Sequence, residues 1–166
     1  MDAVTAWLAS LDLPPLTHLS MLVHEHVYLL TLLLFIASIP FFSQKRRLLT
    51  VFVGLVLLLF ATLALKNGYA ELRPCDASVA GAVASKVACP RPPDYSFPSG
   101  HAVLVFFFLA ATIGTGAFLP YYALALFTAF SRLYLGVHFL GDVTAGIVVG
   151  VLGYAVAEKI TDAWVK

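Results

Sequence analysis

The sequence predicts an all-α integral membrane bundle with about five transmembrane helices and one N-terminal interfacial helix. Hydrophobic residues make up 61% of its 166 residues and charged residues only 11%, against roughly 45–50% and 25% in soluble domains. Long apolar stretches recur along the whole chain, as a multi-pass membrane protein requires. The length suits a single domain over 1–166. The formal net charge of +1 gives no reason to expect a nucleic-acid partner.

Positions 1–20 are expected to form the interfacial helix rather than a further span. Trp7 and several leucines alternate there with acids and prolines, a pattern that suits a helix lying in the membrane surface. The segment has no basic residues ahead of an apolar stretch and no small-residue cleavage site, which argues against a secretory signal peptide. The first span is then expected to act as an uncleaved insertion signal.

Five apolar stretches are expected to cross the membrane. They lie at 27–42, 48–65, 102–119, 121–135 and 143–160. Because a bilayer requires about 17–25 residues, the first and fourth would borrow flanking residues. In the last stretch, Gly146 and Gly150 form a GxxxG pair, which favours close packing against another helix.

The orientation of these spans follows from the basic cluster Lys45-Arg46-Arg47, in the tight turn between the first two. By the positive-inside rule this turn faces the cytoplasm. Five spans then place the C-terminal Lys159 and Lys166 on the cytoplasmic side and the N-terminus outside. The total count of basic residues does not discriminate, because five fall on each side. The prediction therefore depends on the short-loop cluster.

The long connection at 66–98 is expected to be an extracytoplasmic loop. Connections of this length usually carry function or are disordered. Cys75 and Cys89 bracket its middle part and would form either a disulfide, worth roughly 3 kcal/mol through loop closure, or two free thiols. Three valines between them repeat every four residues and predict a small helix on the membrane surface: Val79, Val83 and Val87.

Polar and ionisable residues gather at the ends of the spans in three clusters. The clusters are Lys66 with Arg73-Pro74, then Pro98-Ser99-Gly100-His101, then Ser131-Arg132 with His138 and Asp142. Such groups are costly near lipid unless they are paired or bind something. Because the chain alternates direction through the bilayer, all three clusters reach the same membrane face. We therefore expect them to form one site.

The cations of these clusters predict an anionic ligand. Lys66, Arg73 and Arg132 would repel each other unless an anion lay between them, and the planar fork of arginine suits phosphate oxygens. Lys66 and Arg73 are seven residues apart, so a continuing helix would place both on one face. Ser99 and Gly100 begin the third span, where a helix N-terminus offers free N–H groups to an anion. The predicted ligand is phosphate or a close mimic.

The remaining residues of the clusters predict catalysis. His138 and Asp142 are spaced i, i+4, so the carboxylate could hold one imidazole nitrogen and leave the other free to attack. His101, from a different span, could protonate a leaving group. These residues suffice for phosphoryl transfer through a phosphohistidine. Metal sites need more carboxylate or imidazole ligands and fewer cations, so neither a metal nor another cofactor is expected.

Each cluster has a structural explanation when it is taken alone. Cations at span ends are often anchors that reach for the headgroups, and the third cluster could be a structural polar network. His24-Glu25-His26 is similar to a metal motif, but histidines at i and i+2 do not share a helix face. We therefore interpret these residues as interfacial, and His18 gives no functional signal. A non-catalytic binder or transporter of lipid phosphates is the alternative function, although it would need no His138–Asp142 pair.

The three clusters resemble the signatures of the type-2 phosphatidic acid phosphatase superfamily, which includes lipid phosphate phosphatases and shares its site with vanadium haloperoxidases. The family patterns K-x6-R-P, P-S-G-H and S-R-x5-H-x3-D match 66–74, 98–101 and 131–142, in order and intact. A haloperoxidase is excluded by context, since the chain is nearly all membrane spans. Many bacterial members have six spans, one more than expected here.

The resemblance implies a role for each matching residue. His138 would be the nucleophile, Asp142 its orienting carboxylate and His101 the acid that protonates the leaving oxygen. The phosphate cradle would consist of Lys66, Arg73, Ser99, Gly100 and Arg132. Members of this phosphatase family work without a divalent metal. The implied activity is hydrolysis of a lipid phosphate at the extracytoplasmic face of the cell membrane.

The substrate is expected to be a polyprenyl phosphate or diphosphate of the undecaprenyl or dolichyl type. The small catalytic core, with little mass outside the membrane, suits a head group that is only phosphate. Phosphatidic acid or phosphatidylglycerol phosphate is the alternative, because the motifs contact only phosphate. The motifs leave the oligomeric state open.

Overall fold

The computed structural model describes residues 2–41 and 45–164. This part of the chain is helical and contains no β-strand, which confirms the all-α class. Its six α-helices and one 3₁₀ turn are α1 (Ala3–Ser10), α2 (Pro14–Ser38), the turn Ile39–Phe41, α3 (Lys45–Tyr69), α4 (Gly100–Ala111), α5 (Phe118–Tyr134) and α6 (Leu140–Trp164).

The outer surface of the bundle is apolar, as a membrane protein requires. Within the described residues three helices, α2, α3 and α6, are long and apolar enough to cross a bilayer, and each has 25 residues. Large side chains such as Phe52, Phe60 and Leu152 are exposed on α3 and α6. Exposed apolar surface on this scale requires lipid rather than water around it.

The N-terminal prediction was wrong about where the first span begins. Positions 14–20, assigned to the interfacial helix, belong to α2, which starts at Pro14 because proline fits the first turn of a helix. The separate helix α1 is capped by Asp2, whose carboxylate accepts a bond from the Thr5 amide at 2.8 Å. Six positions of the predicted domain, 1, 42–44, 165 and 166, lie outside the described residues; among them are Met1 of the predicted interfacial helix, Phe42 of the first span and the C-terminal Lys166.

The third predicted span ends early. α4 has 12 residues, so it is about 18 Å long, and a turn at 112–117 separates it from α5. Gly114 adopts a φ of +76° in that turn, a conformation that favours glycine. The second and fifth spans, predicted at 48–65 and 143–160, extend at both ends, as α3 and α6. The fourth, predicted at 121–135, corresponds to α5, which starts three residues earlier and ends one residue earlier.

The GxxxG pair packs α6 against α4. A Cβ on Gly146 would lie 2.8 Å from the Ser99 carbonyl oxygen, and one on Gly150 would overlap the Val103 carbonyl. The absence of side chains at these two positions lets the helix backbones approach closely. This packing fixes the start of α4 beside the start of α6.

The loop at 70–99 contains no helix, so the surface helix predicted over Val79 to Val87 was wrong. Its backbone forms isolated turns, such as the Val79 amide donating to Asp76, and also bonds to distant segments. The Lys86 amide donates to the Leu135 carbonyl at 3.1 Å, and the Val83 amide donates to Pro74. A disulfide joins Cys75 and Cys89. The loop thereby folds over the end of α5.

Candidate active site

The centre of the site is a buried pair of side chains, His138 and Asp142, where the connection after α5 enters α6. The Nδ1 of His138 lies 3.2 Å from the Oδ2 of Asp142, and their side chains are only 3% and 1% exposed. Gly136, with a φ of +73°, turns the chain just before His138. Asp142 lies in the first turn of α6. The predicted i, i+4 contact is therefore made.

The Asp142 carboxylate is held by more than the histidine. Its Oδ2 accepts the Phe139 amide at 2.8 Å and also the hydroxyl of Ser96. An ionised carboxylate only accepts hydrogen bonds, so the Nδ1 of His138 carries the proton and Nε2 carries a lone pair. Ser96 has no place in the sequence motifs. It reaches the pair because the 70–99 loop folds over it.

The His138 imidazole is neutral at physiological pH. Burial lowers the pKa of His138 to about 4; Asp142 opposes this shift, and the positive charge of Arg73 adds to it. A neutral imidazole with a free Nε2 is the form that can act as a nucleophile.

Arg73 donates a hydrogen bond to that unprotonated nitrogen. Its Nη1 is 3.1 Å from the Nε2 of His138 and donates to the Val137 carbonyl at 2.9 Å. Its Nε donates to the Asp94 carbonyl at 3.1 Å, and its Nη2 lies 3.0 Å from the Asp94 Oδ2. The guanidinium is thus fixed on all sides, beside the atom that would attack.

Lys66 approaches from the last turn of α3. Its Nζ lies 3.1 Å from the Oδ1 of Asp94 and donates to the Tyr95 carbonyl. The expected common helix face is absent, because α3 ends at Tyr69 and Ala70 turns the chain with a φ of +47°. The loop, rather than the helix, brings Arg73 next to Lys66.

The start of α4 offers an open place for an anion. Ser99 precedes the helix, and its amide donates to the Asp142 carbonyl at 3.1 Å. Its hydroxyl is buried and has no hydrogen-bond partner among the described residues. A Cβ added at Gly100 would meet no atom within 4 Å. A free hydroxyl and a helix N-terminus beside open space suit the oxygens of a phosphate.

Arg132 ends the site on the side of α5, where it is fully buried. Its Nη2 donates to the Ser131 hydroxyl at 3.0 Å, and its Nη1 lies 2.6 Å from the Nδ1 of His24. Arginine only donates, so His24 accepts and is unprotonated at Nδ1.

His24 was interpreted as interfacial, and the structure places it in the site instead. Its ring stacks on His101, with centroids 5.6 Å apart. Tyr28, one turn further along α2, packs on the same ring at 5.2 Å. The i, i+4 spacing of His24 and Tyr28 was the available signal. It was missed because α2 was expected to begin after His24.

The structure therefore brings the three predicted clusters together in two parts. We call Lys66, Arg73, His138 and Asp142 the nucleophile half, and His24, His101 and Arg132 the helix half. The halves adjoin, because His101 is near enough to His138 and Arg132 for electrostatic interaction. Over 2–41 and 45–164, no group of three His, Cys, Asp or Glu side chains is arranged to hold a metal.

Comparison with known proteins gives one family match and a curated relative. The family model described as "PAP2 superfamily" matches residues 47–165. YbjG of Escherichia coli (strain K12), named provisionally as an undecaprenyl-diphosphatase, is 28% identical over 126 residues, which cover 73% of this chain. The chain spans about 60% of the length of that relative.

Two solved structures share the fold. LpxE of Aquifex aeolicus has a TM-score of 0.71 at 21% identity, and the match covers 94% of this chain and 93% of LpxE. The transmembrane PAP2-type phosphatidylglycerolphosphate phosphatase of Bacillus subtilis has a TM-score of 0.72 at 20% identity, covering 99% of this chain and 85% of that one.

Proposed function

The chain belongs to the PAP2 superfamily, and on that premise we propose that it hydrolyses a lipid phosphate through a phosphohistidine. One observation carries the proposal. The Nε2 of His138 bears a lone pair 3.1 Å from the guanidinium of Arg73, while Asp142 holds the other ring nitrogen. A nucleophile beside a fixed cation is the arrangement that phosphoryl transfer needs.

The proposed reaction has two steps. In the first, Nε2 of His138 attacks the terminal phosphorus, the bond from that phosphorus to the leaving oxygen breaks, and His101 gives its proton to that oxygen. The leaving oxygen is the lipid ester oxygen of a monophosphate or the bridging oxygen of a diphosphate. In the second, water attacks phosphorus, the P–N bond breaks, and His101 takes a proton from the water as inorganic phosphate forms. Microscopic reversibility makes the same imidazole acid and then base.

The phosphate would be held by five groups. These are Lys66, Arg73, Arg132, the Ser99 hydroxyl and the Gly100 amide. Because the transferring group spreads negative charge over its equatorial oxygens, buried and pre-positioned cations stabilise it strongly. These cations can supply the stabilising charge, so the proposal includes no metal or other cofactor.

A groove beside the site favours a lipid as the substrate. It runs between α3 and α4 and reaches the start of α4. Its lining is almost wholly apolar: Tyr28, Leu55, Leu58, Leu59, Thr62, Gly100, Val103 and Leu104. We infer that the substrate's hydrocarbon chain lies in this groove, with its phosphate at Gly100.

The lipid we favour is a polyprenyl phosphate or diphosphate. The provisional name of YbjG, an undecaprenyl-diphosphatase, agrees with this choice. Phosphatidic acid or phosphatidylglycerol phosphate is the second candidate, favoured by the name of the Bacillus subtilis structural neighbour. A non-catalytic binder or transporter is the third, but it leaves the His138–Asp142 pair unexplained.

The site would face the extracytoplasmic side in a five-span topology. Lys45, Arg46 and Arg47 lie at one end of α3 and Lys66 at the other, so a cytoplasmic basic cluster places the site outside. The Cys75–Cys89 disulfide favours the same side, since disulfides persist in oxidising compartments.

The testing experiment is phosphate release by the purified protein in detergent with excess EDTA. Undecaprenyl diphosphate, phosphatidic acid and phosphatidylglycerol phosphate are offered in parallel, with His138→Asn as the matched inactive control. We expect release from the wild type despite EDTA, fastest with the polyprenyl substrate, and none from the variant. A folded wild type that releases nothing would support the binder, and loss of release in EDTA would contradict metal independence.

A further inference from the structure

A carboxylate outside the three motifs bridges two cations of the site. Asp94 lies in the 70–99 loop, with its Oδ1 3.1 Å from the Nζ of Lys66 and its Oδ2 3.0 Å from the Nη2 of Arg73. Both cations belong to the cradle proposed above. Asp94 therefore neutralises the positive charge that would otherwise bind a phosphate.

This carboxylate binds the same guanidinium that contacts the attacking nitrogen. Arg73 directs one terminal nitrogen to Asp94 and the other to the Nε2 of His138, at 3.1 Å. Carboxylate and phosphate both present a pair of oxygens to the guanidinium fork. An anion bound to Lys66 and Arg73 within reach of His138 would occupy the space that the Asp94 carboxylate fills.

The Asp94 side chain can leave without disturbing the loop. It is 57% exposed, whereas Lys66 and Arg73 are 15% and 7% exposed. The loop is held separately, because the carbonyls of Asp94 and Tyr95 accept bonds from Arg73 and Lys66. Rotation of the carboxylate into water would free two donors and leave these backbone bonds in place.

The carboxylate also remains charged at working pH. Its partial burial alone would raise the pKa of Asp94, but the neighbouring Arg73 and Lys66 lower it below its ordinary value. A permanently ionised side chain competes with phosphate throughout the neutral range.

We propose that Asp94 is a resident competitor for the phosphate position. Its carboxylate neutralises Lys66 and Arg73 in the free protein, is displaced by the substrate phosphate, and returns as inorganic phosphate leaves. The inference rests on the proposed function, since it requires that cradle. This competition should speed the release of inorganic phosphate more than it weakens substrate binding. The substrate has a hydrocarbon chain that adds binding energy, and free phosphate has none.

The test is the affinity for inorganic phosphate, measured by ³¹P NMR titration of the purified protein in detergent. Asp94→Asn removes the charge and keeps the shape, and we expect about ten-fold tighter binding, because the carboxylate no longer competes with phosphate for Lys66 and Arg73. Asp76→Asn is the matched control, because within 2–41 and 45–164 this carboxylate of the same loop bonds only to Ser78. The control should bind phosphate like the wild type.

Turnover gives a second readout. We expect inorganic phosphate to inhibit lipid phosphate hydrolysis by Asp94→Asn at about ten-fold lower concentration than it inhibits the wild type. We expect the same shift of about ten-fold for Asp94→Ser, which replaces Asp94→Asn in both measurements if that variant does not fold.

The failures of the two proposals are distinguishable. If the wild type binds phosphate and hydrolyses lipid phosphate, but both Asp94 variants bind phosphate equally or more weakly, Asp94 supports the cations rather than competing with phosphate. That result overturns this inference alone. If the folded wild type neither binds phosphate nor hydrolyses any lipid phosphate, the cradle itself is wrong and both proposals fall.

Discussion

The nucleophile half and the helix half of the site are held together by different interactions. Hydrogen bonds and ion pairs from the 70–99 loop connect the nucleophile half, through Asp94 and Ser96. Ring packing of α2 against α4, with one bond to α5, connects the helix half. The difference indicates that the first half depends on individual polar contacts, and the second on where α2 lies.

The largest expected effect separates chemistry from binding within the nucleophile half. His138→Asn should lower kcat by about 10⁴-fold or more, because loss of a nucleophile removes the covalent route. Phosphate binding should persist, since the cations remain. His26→Asn, an exposed histidine of α2, is the control and should turn over normally. Substantial activity in His138→Asn would refute the assignment of the nucleophile.

The next effect tests the helix half in the same way. His101→Asn should lower kcat by about 10²–10³-fold on a lipid phosphate, which is the usual contribution of a general acid. With a nitrophenyl phosphate the loss in the first step, followed as nitrophenolate release in the first turnover, should largely disappear, because nitrophenolate leaves without a proton. Equal losses of this first-step rate on both substrates would show that His101 is not the acid.

Protonation provides a third test, confined to the nucleophile half. Burial lowers the pKa of His138 to about 4, so its imidazole should stay mostly neutral at pH 5. At that pH the neutral fraction of an ordinary histidine is only about one in thirty. NMR of protein labelled with ¹⁵N-histidine, with His138→Asn to assign the signal, measures this directly. A titration near pH 6.5 would contradict the prediction.

The same proton links pH to stability. Above about pH 6.5 His138 is neutral in both the folded and the unfolded chain, so its protonation does not affect stability. Below that pH the unfolded chain binds a proton at this residue, whereas the folded chain binds it only near pH 4. The free energy of unfolding should therefore fall across that interval, by roughly 3 kcal/mol from this group. Urea unfolding of the wild type and of His138→Asn measures the difference.

The smallest expected effect comes from His24, and it separates ring packing from hydrogen bonding within the helix half. His24→Phe keeps the ring on His101 but removes the acceptor of Arg132, whereas His24→Asn keeps an acceptor and removes the ring. We expect each to lower kcat/KM by about ten-fold, on the scale of a hydrogen bond to a charged group. Glu25→Gln, an exposed neighbour, is the control. If neither variant differs from it, His24 is only a packing residue.

The sequence was sufficient where local chemistry decides the outcome. Composition predicted the all-α membrane class, and the third motif predicted one contact of the site. His138 and Asp142 meet because they are four positions apart across the start of a helix. These features depend on short-range geometry, which a sequence contains directly.

The sequence was insufficient where distant packing decides the outcome. Average hydropathy placed the start of α2 too late, because its inward face is polar where His24 meets Arg132. The valine spacing in the loop predicted a helix, but the backbone of Lys86 bonds to Leu135 instead. Asp94 and Ser96 lie outside the motifs, so only the folded loop brings them into the site.

The close approach of α6 to α4 has a consequence for genetic screens. A methyl group on Gly146 would press on the Ser99 carbonyl. Ser99 directly precedes α4, and its amide donates to the Asp142 carbonyl. A mutation of this glycine would therefore give the same inactive phenotype as a mutation of the nucleophile. In a collection of loss-of-function alleles, the amount of protein in the membrane, rather than its activity, would separate the two groups.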